Sequence, residues 1–450
     1  MRLLYVANGF PPTALGGVEV YTYEMALAMR QRGHEVWVFC RESNFSRPDY
    51  SLLRDEIGDI PVFRVVNDFK GAVRFVQLYE DEHIETLFQE ILQKIRPDLV
   101  HFQHLIALSA RLPEIASRLG YPVLMSLHDF WPLCHRVHLI DRWNRVCPGP
   151  FQGGDCVRCV FGSDGWGDLF ARLRRLSTWI PPLIRRVWTQ WRGNAPALPL
   201  PSEGEEIFQA RHRAFQSAFQ ACRLLLAPSA FVREVFIQNG WSDSDIEIRV
   251  LPLGLALPEG DLKVKRKPSA DSDLRIGYIG WYQPQKGVHL LLKAFQHLDS
   301  PYVSLHLFGP FESAHPYARS LQKWIQQDPR VHIHGPFSPE ERAQVYAQLD
   351  VLVIPSISPE TFSRVAREAL VHKVPIIASR VGALKEIVIE GVNGYTFPPG
   401  DLQALLQILK ELIQNPERLH SLDLPGPIPI LSVEEHADLL EQIYQVCVDS

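Results

Sequence analysis

Short apolar runs recur along the chain, and segments with helical spacing of apolar positions lie between most of them. In the front half these runs are RLLYVA (2–7), VWVFC (36–40), PDLVHFQH (97–104), PVLMSLHD (122–129), LLLAPS (224–229) and IRVLPLG (248–254). Short apolar runs bounded by turn residues predict buried strands, and a period near 3.6 predicts helices, as in 84–95. Strands that alternate with helices indicate a parallel sheet covered on both faces.

A second strand series fills the back half: RIGYIG (275–280), SLHLFG (304–309), VHIHG (331–335), DVLVIPS (350–356) and PIIAS (375–379), where the predicted series ends. Residues 256–273 are polar and rich in Lys, Pro and Ser, which predicts a linker. The pattern therefore predicts an α/β fold of two tandem doubly wound, Rossmann-like domains, at 1–255 and 274–430. Ligands of such sheets collect beyond the carboxyl ends of the strands, so we expect a site in a cleft between the two domains.

The last part of the chain, 431–450, has helical spacing over EEHADLLEQIYQVC (434–447). A helix with an apolar face must bury it against another element. We therefore expect this segment to pack back toward the first domain.

Composition narrows the functional classes. The chain has 450 residues, of which 46% are hydrophobic, enough for two or three domains at about 150 residues each. A formal net charge of -5 gives no support for nucleic-acid binding. The sequence contains no run of 18 apolar residues and no secretory h-region near its start. These features predict a cytoplasmic protein that is soluble or attached to the inner face of the membrane.

Four of the seven cysteines cluster in the Gly- and Pro-rich loop 134–159: Cys134, Cys147, Cys156 and Cys159. In an intracellular chain such a cluster points to thiols or a metal site rather than to disulfides. Four thiolates suit a tetrahedral structural zinc ion, although this spacing is not that of a standard zinc ribbon. Structural zinc and free or redox-active thiols both remain open.

The segment GWGDLFARLRRLSTWIPPLIRRVWTQWR (165–192) is basic and aromatic, with six arginines and four tryptophans against one acid. Basic residues beside aromatic anchors predict contact with an anionic membrane surface. The alternative is an ordinary helical insertion whose tryptophans belong to a core.

Four motifs follow one another in the back half: GWYQPQKG (280–287), PETFSRVARE (359–368), ASRVGALKEIV (378–388) and EGVNGYTFPPGD (390–401). Together with GGVEVYTYEMALAMRQRGHEV (16–36), their order and spacing resemble the retaining GT-B-type glycosyltransferases of group 1 or family 4, in the subset with a cysteine-rich loop after an LHD motif. The resemblance implies transfer of a hexose from a nucleoside diphosphate sugar to a hydroxyl of a glycan or lipid-linked glycan, in polysaccharide biosynthesis. It implies no cofactor for catalysis.

Two glutamates eight positions apart match the length of such a donor. Glu360 follows a predicted strand and would bind hydroxyls of the transferred sugar, while Glu368, in the next helix, would accept hydrogen bonds from the ribose. Between them a helix N-terminus offers free N–H groups and a positive dipole end to the diphosphate. We expect that N-terminus to comprise Thr361, Phe362, Ser363, Arg364 and Val365. The resemblance assigns the two glutamates the same roles.

Lys286 resembles the family lysine that neutralises the donor diphosphate, whose charge grows as the bond breaks. The family commonly places an arginine after the strand glycine, whereas here Gly280 is followed by Trp281. Arg364 or Arg367 would then supply the charge. Ser363 stands where the family usually has glycine, and its side chain narrows the approach of a phosphate.

In the front half, Gly16 and Gly17 follow the first strand, and glycine lets the backbone approach a ligand closely. The resemblance places this loop over the donor phosphates. His128 ends another strand and resembles a family histidine near the transferred sugar. Because the leaving phosphate takes the acceptor proton in such reactions, we expect His128 to orient a hydroxyl rather than to act as general base, with Asp129 orienting it. The plain alternative is a core histidine.

Two other functions remain open. One is a nucleotide-sugar epimerase or a phosphorylase on the same two-domain architecture. The other is a non-catalytic scaffold or glycan-binding subunit, which the departures at Trp281 and Ser363 suggest.

Overall fold

The computed structural model describes residues 1–71, 74–150, 155–161, 204–241, 246–257, 274–311 and 316–449. The chain divides into two compact units, of which the first comprises Met1–Arg142, Cys147–Leu253 and Val433–Ser450 and the second Trp143–Val146 and Gly254–Ser432. The basic and aromatic segment 165–192 and residues 258–273 of the predicted linker lie outside the described residues.

The first unit is built on an eight-stranded sheet within the described residues, in the order β3-β4-β2-β1-β5-β6-β7-β8. Its strands are β1 (Arg2–Ala7), β2 (Glu35–Glu42), β3 (Leu52–Ile57), β4 (Ile60–Val66), β5 (Leu99–Phe102), β6 (Val123–Ser126), β7 (Leu224–Ala227) and β8 (Ile248–Val250). Neighbouring strands are parallel except for the β3–β4 pair. This edge hairpin was not predicted from the sequence. Its strand β3 (LLRDEI) has no buried residue and so no continuous apolar run, whereas β4 (IPVFRVV) is a buried apolar run that was overlooked.

Helices cover this sheet: α1 (Gly17–Gln31), α2 (Glu82–Ile95), α3 (Leu112–Arg118), α4 (Cys156–Phe161), α5 (Gly204–Gln220) and α6 (Ala230–Gln238). The apolar faces of α2 and α5 supply aromatic side chains to one core cluster, which also takes Phe102 from β5. Burying each such ring stabilises the fold by about 1.5–3 kcal/mol relative to leaving it exposed.

The second unit has a six-stranded parallel sheet within the described residues, in the order β12-β11-β10-β13-β14-β15, and a two-stranded parallel pair of β9 and β16. The strands are β9 (Gly254–Leu255), β10 (Leu274–Ile279), β11 (Val303–Phe308), β12 (Val331–Gly335), β13 (Val351–Ile354), β14 (Ile376–Ser379), β15 (Gly394–Phe397) and β16 (Leu431–Ser432). The sequence-based series was wrong to end at 375–379, because β15 extends it. The strand GYTF has four residues, begins with glycine and follows a turn, so it shows no apolar run.

The helices of this unit are α7 (Val288–Gln296), α8 (Pro316–Gln327), α9 (Arg342–Ala347), α10 (Arg364–Val371), α11 (Leu384–Ile387), α12 (Leu402–Gln414) and α13 (Glu417–His420). Two apolar clusters hold them to the sheet, one including α7 and α12 and the other including α10.

The last described helix, α14 (Val433–Asp449), belongs to the first unit rather than to the second. Its Tyr444 hydroxyl lies 2.9 Å from the hydroxyl of Tyr5 and 2.6 Å from Nδ1 of His101. Arg32, after α1, donates to Asp438 of α14 at 2.7 Å. Buried hydrogen bonds and surface ion pairs thus fix α14 beside α1 and β5.

The strand order reverses at one place in each sheet. In the first unit β1 lies between β2 and β5, and in the second β10 lies between β11 and β13. The loops that follow the two strands at such a reversal lead to opposite faces of the sheet, so a crevice is left beyond the strand ends. Doubly wound sheets bind their ligands in this crevice. The loops after β10 and β13 and after β1 and β5 are therefore the first places to search.

Candidate functional site

In the second unit, the turn after β10 packs directly against the residues that follow β13. Gly287 has φ 72°, and a Cβ at this position would lie 1.8 Å from the carbonyl oxygen of Pro355. The carbonyl oxygen of Gln285 accepts a hydrogen bond from the N–H of Ile357 at 2.7 Å. Glycine is required here both for its backbone conformation and for this close approach.

This packing brings together two predicted site residues that are 74 positions apart in the sequence. Lys286 Nζ donates to Oε1 of Glu360 at 2.8 Å, and the Ser356 hydroxyl donates to the same oxygen at 2.6 Å. The side chain of Glu360 is 13% exposed and that of Lys286 is 34% exposed. Glu360, which we expect to bind the sugar, and Lys286, which we expect to bind the diphosphate, therefore form a half-buried ion pair at the end of β13.

The loop after β14 fixes the backbone of Glu360. Gly382 has φ 61°, and a Cβ there would lie 2.4 Å from both the nitrogen and the carbonyl oxygen of Glu360. The N–H of Ala383 donates to that carbonyl at 2.7 Å. The loop lies within the motif ASRVGALKEIV (378–388), whose sequence alone does not show that Gly382 contacts the Glu360 backbone.

Helix α10 starts later than expected. Its first residue is Arg364, so Val365 lies in its first turn, while Thr361 and Phe362 precede the helix. Ser363 is the N-cap, with φ 55° and no capping hydrogen bond from its side chain. Because this left-handed conformation favours glycine, the backbone gives a physical reason why the family usually has glycine at this position.

Glu368 is the fifth residue of α10 and is 8% exposed. Its Oε2 accepts a hydrogen bond from the hydroxyl of Tyr346 at 3.1 Å, and Nε of Arg342 lies 3.7 Å from its Oε1. Both neighbours come from α9 and were missed from the sequence, because nothing in the spacing of α9 marks them as partners of a later helix. They fix the orientation of the carboxylate that we expect to bind ribose.

The two arginines suggested as substitutes for the missing family arginine differ in position. Arg367 is 4% exposed, its guanidinium lies 3.8 Å from the centre of the Phe362 ring, and it donates to the Phe362 carbonyl. Burial lowers the pKa of Arg367 to about 10. The charged group of Arg367 is thus buried against Phe362 within the unit. Arg364 is partly exposed at the first position of the helix and is better placed to contact a phosphate.

Gly280 follows β10 with φ 153°, and a Cβ on Gly309 would lie 2.1 Å from the Gly280 carbonyl oxygen. The next residue, Trp281, is 42% exposed, and its carbonyl accepts from the Tyr278 hydroxyl at 2.7 Å. Trp281 therefore presents a ring and no charge at the end of the strand.

In the first unit, Gly16 is the N-cap of α1 and Gly17 its first residue. A Cβ on Gly16 would lie 2.3 Å from Oε2 of Glu19, whereas a Cβ on Gly17 would meet nothing within 4 Å. Glu19 in turn accepts from the Asn8 side chain at 2.8 Å. The first glycine is thus required by local packing, and the second leaves the helix start open.

His128 lies after β6 and is 8% exposed. Its Nε2 is 2.8 Å from Oε1 of Gln103, and its ring centre is 5.0 Å from that of Tyr21. Burial, and next the neighbouring His104, lower the pKa of His128 to about 3. At neutral pH the imidazole is therefore uncharged and a weak base.

The expectation that Asp129 orients His128 was wrong. Oδ2 of Asp129 lies 2.8 Å from Nε2 of His104, and Oδ1 accepts from the Trp131 N–H at 2.8 Å. Burial opposes a charge on His104, but the Asp129 carboxylate outweighs it and raises the pKa of His104. Gln103 and His104 directly follow β5 (LVHF), so the polar residues at the end of this apolar run mark the contact in the sequence.

Cys134, Cys147, Cys156 and Cys159 are all free thiols, each partly exposed. Burial raises the pKa of Cys156 to about 12, and the three other thiols of the cluster add to that rise. Among the described residues, which include all four, no group of three or more His, Cys, Asp or Glu side chains is arranged to hold a metal ion. Structural zinc stays a prediction, which elemental analysis of the purified protein tests.

Comparison with known proteins agrees with the motifs. The family model described as glycosyl transferases group 1 matches residues 273–415, and that described as glycosyltransferase family 4 matches residues 15–149. A D-inositol 3-phosphate glycosyltransferase from Corynebacterium urealyticum is 32% identical over 151 residues. That alignment covers 32% of this chain and 35% of the relative, about a third of the relative's length.

Two solved structures resemble the chain along its whole length. Sucrose-phosphate synthase from Thermosynechococcus elongatus gives a TM-score of 0.64 at 18% identity, covering 100% of each chain. HepE from Anabaena, crystallised with UDP-glucose, gives 0.58 at 18% identity, covering 100% of this chain and 98% of HepE. At this identity the likeness concerns the fold. With two doubly wound units, the predicted motifs at their strand ends and both family models matched, the chain belongs to the GT-B glycosyltransferases of group 1 and family 4.

Proposed function

We propose that the protein is a retaining hexosyltransferase that moves a sugar from a nucleoside diphosphate donor to a hydroxyl of a glycan or lipid-linked glycan. One observation carries the proposal: Lys286 and Glu360 meet at 2.8 Å where the strand order of the second sheet reverses. A cation beside an acid at this position suits a molecule that has a diphosphate next to a polyhydroxylated ring.

The donor would lie along the loop after β13 and helix α10. Glu368, oriented by Tyr346, would accept hydrogen bonds from the ribose hydroxyls. Lys286 and the free N–H groups at the start of α10 would bind the diphosphate, and Glu360 would bind the hexose. By family resemblance, residues 331–338 would border the base.

Retention of the anomeric configuration is supported by the state of His128. With a pKa of about 3, caused by burial and by His104, His128 is a poor general base at neutral pH. This agrees with a same-face substitution in which the leaving phosphate oxygen takes the acceptor proton. His128 would then orient a hydroxyl of the reacting sugar.

The test is a screen of UDP-, GDP- and ADP-hexoses with glycan and lipid-linked acceptors, with the anomeric configuration of the product read by NMR. UDP-glucose comes first, because the structurally similar HepE was crystallised with it. Product formed only with acceptor present, and with retained configuration, supports the proposal. Conversion of the donor without acceptor favours an epimerase, and absence of nucleoside diphosphate binding in calorimetry favours a non-catalytic scaffold.

We further propose that the protein acts at the inner face of the cytoplasmic membrane, through the basic and aromatic segment 165–192. Within the described residues, no helix is long and apolar enough to cross a bilayer. The protein should sediment with vesicles that contain anionic lipid, and less so with neutral vesicles or at high salt. Replacing Arg174, Arg175, Arg185 and Arg186 by glutamine should abolish sedimentation, and equal binding of this variant would contradict the proposal.

A further inference from the structure

A buried arginine holds the loop between β1 and α1. Arg64 lies on β4, two strands away from β1 in the sheet, and is 3% exposed. Its Nη1 donates to the carbonyl of Phe10 at 3.0 Å, and its Nη2 donates to the carbonyl of Pro11 at 2.6 Å. Because Pro11 and Pro12 have no backbone N–H, this stretch cannot build a regular backbone ladder. Arg64 supplies N–H groups to its carbonyls instead.

Two acidic side chains fix the direction of the Arg64 guanidinium. Its Nε donates to Oδ2 of Asp55, on β3, at 2.9 Å, and its Nη1 donates to Oε2 of Glu42, at the end of β2, at 3.2 Å. The hydroxyl of Thr13, in the loop, donates to the same Glu42 oxygen at 2.8 Å. A planar guanidinium meets acceptors on several sides at once, which the single nitrogen of a lysine cannot do.

The same part of the loop is also anchored to α1, and the exposed part follows directly. Phe10 is 0% exposed, and its ring centre lies 5.6 Å from that of Tyr23 on α1. Further along the loop, Leu15 is 63% exposed, and Gly16 and Gly17 then begin the helix. The position of the anchored part therefore sets the position of the exposed residues that follow it.

We propose that Arg64 is a positioning residue of the transfer reaction, which holds the loop between β1 and α1 where Gly16 and Gly17 meet the donor diphosphate. Arg64 does not touch the donor, because its guanidinium is buried and directed at the loop carbonyls and at two carboxylates. The edge hairpin of β3 and β4 gains a role, since it carries both Asp55 and Arg64. This inference rests on the proposed function and deepens it, because it names a residue of the first unit on which diphosphate binding depends.

The first experiment measures the loop without any ligand. Arg64→Lys keeps a positive charge beside Glu42 but loses the planar fork, and Arg54→Lys makes the same change at an exposed position of the same hairpin. In hydrogen exchange read by mass spectrometry, the peptide that covers 8–20 should exchange at least threefold faster in Arg64→Lys and at the parent rate in Arg54→Lys. Equal exchange of this peptide in the two variants would overturn the proposal.

The second experiment uses calorimetry with two ligands: whichever of UDP, GDP and ADP binds the parent, and the monophosphate of the same nucleoside. The ratio of their dissociation constants isolates the second phosphate, whereas a general loosening of the fold weakens both ligands alike. The preference for the diphosphate should fall at least threefold in Arg64→Lys and stay unchanged in Arg54→Lys. Because lysine keeps the charge, such a fall reports the position of the loop and not a lost electrostatic attraction.

The outcomes separate the two proposals. An unchanged preference in Arg64→Lys, or an equal loss for both ligands, would overturn the role of Arg64 alone, because the parent still binds the diphosphate. If Arg64→Lys does not fold, Thr13→Val takes its place, since it removes only the bond from the loop to Glu42 and should lower the preference in the same direction. If the parent binds none of the three diphosphates, the proposed function fails, and the role of Arg64 in diphosphate binding fails with it.

Discussion

At the residue scale, the ion pair between Glu360 and Lys286 makes a direct prediction. Glu360→Gln keeps the size of the side chain and removes its charge. We expect kcat to fall by roughly 10²–10³, about 2.7–4 kcal/mol in transition-state free energy. Circular dichroism should show an unchanged fold, and Glu90→Gln, at an exposed position of α2, serves as the control. A folded Glu360→Gln enzyme that turns over donor like the parent would show that Glu360 does not contact the sugar.

Ser363 makes a second prediction at this scale, about stability. Its φ of 55° costs a residue with a Cβ roughly 1–2 kcal/mol, whereas glycine adopts this conformation freely at an entropic cost of about 0.5–1 kcal/mol. Ser363→Gly should therefore raise the free energy of unfolding by up to about 1 kcal/mol. It should also lower KM for the donor, because the backbone N–H at the start of α10 becomes more accessible. Urea denaturation and donor kinetics check both; a less stable variant would mean that the serine side chain makes a stabilising contact.

The sequence allowed site residues to be predicted where a motif places them after a strand, as with Glu360, Lys286 and His128. It did not identify Gln103, Tyr346 or the correct partner of Asp129. Those contacts join side chains from different elements, and a hydrogen bond across elements depends on tertiary packing that sequence spacing does not encode. The motif residues are visible in the sequence because their order and spacing along the chain carry the family resemblance.

At the element scale, the loop after β14 supports the loop after β13 through Gly382. Gly382→Ala introduces a Cβ 2.4 Å from the Glu360 backbone, which must move. We expect a loss of about 2–4 kcal/mol in stability from the clash and the strained φ together, and a fall in kcat, because Glu360 is displaced.

Gly391→Ala is the matched control for this variant. Gly391 has φ 70°, and a Cβ there would meet nothing within 4 Å. It should therefore show the cost of backbone strain alone, about 1–2 kcal/mol, with parent kinetics. Equal kcat values for the two alanine variants would show that Gly382 does not position Glu360.

The predictability of the elements follows the same physics. Central strands such as β5, β6 and β13 are buried along their whole length and read as apolar runs. The hairpin strand β3 faces solvent at a sheet edge, and β15 has four residues, so neither gives a run long enough to detect. Helix α10 was predicted, but its first residue depends on the left-handed backbone at Ser363, which the amino-acid type does not reveal.

At the scale of the whole molecule, buried histidines predict how stability depends on pH. Burial lowers the pKa of His436 to about 4, and burial with nearby histidines lowers that of His128 to about 3. Burial also places the pKa of His101 well below its ordinary value. Each is neutral when folded but takes a proton near pH 6.5 when unfolded, so their stabilisation is present above pH 6.5 and is lost as pH falls toward 4.

When the pH falls from 7.5 to 5.5, protonation of the unfolded chain at His436 and at His128 should lower the free energy of unfolding by about 1.4 kcal/mol for each histidine. His104, whose pKa Asp129 raises against the opposing effect of burial, acts in the opposite direction. Urea unfolding at the two pH values measures the sum. His436→Gln should reduce the difference between the two pH values by about one histidine's share, and an unchanged difference would contradict the assignment of His436 as buried and neutral.

Helix α14 makes the first unit discontinuous, and this has a consequence during biosynthesis. The ribosome completes every described strand of the first sheet by residue 250, but Tyr5 of β1, His101 of β5 and the facing side of α1 must wait for residues 433–449. Throughout translation of the second unit, a nascent chain therefore displays an uncovered apolar patch. Chains that end before residue 433 should therefore bind chaperones and aggregate, because the first unit then lacks the helix that covers this patch.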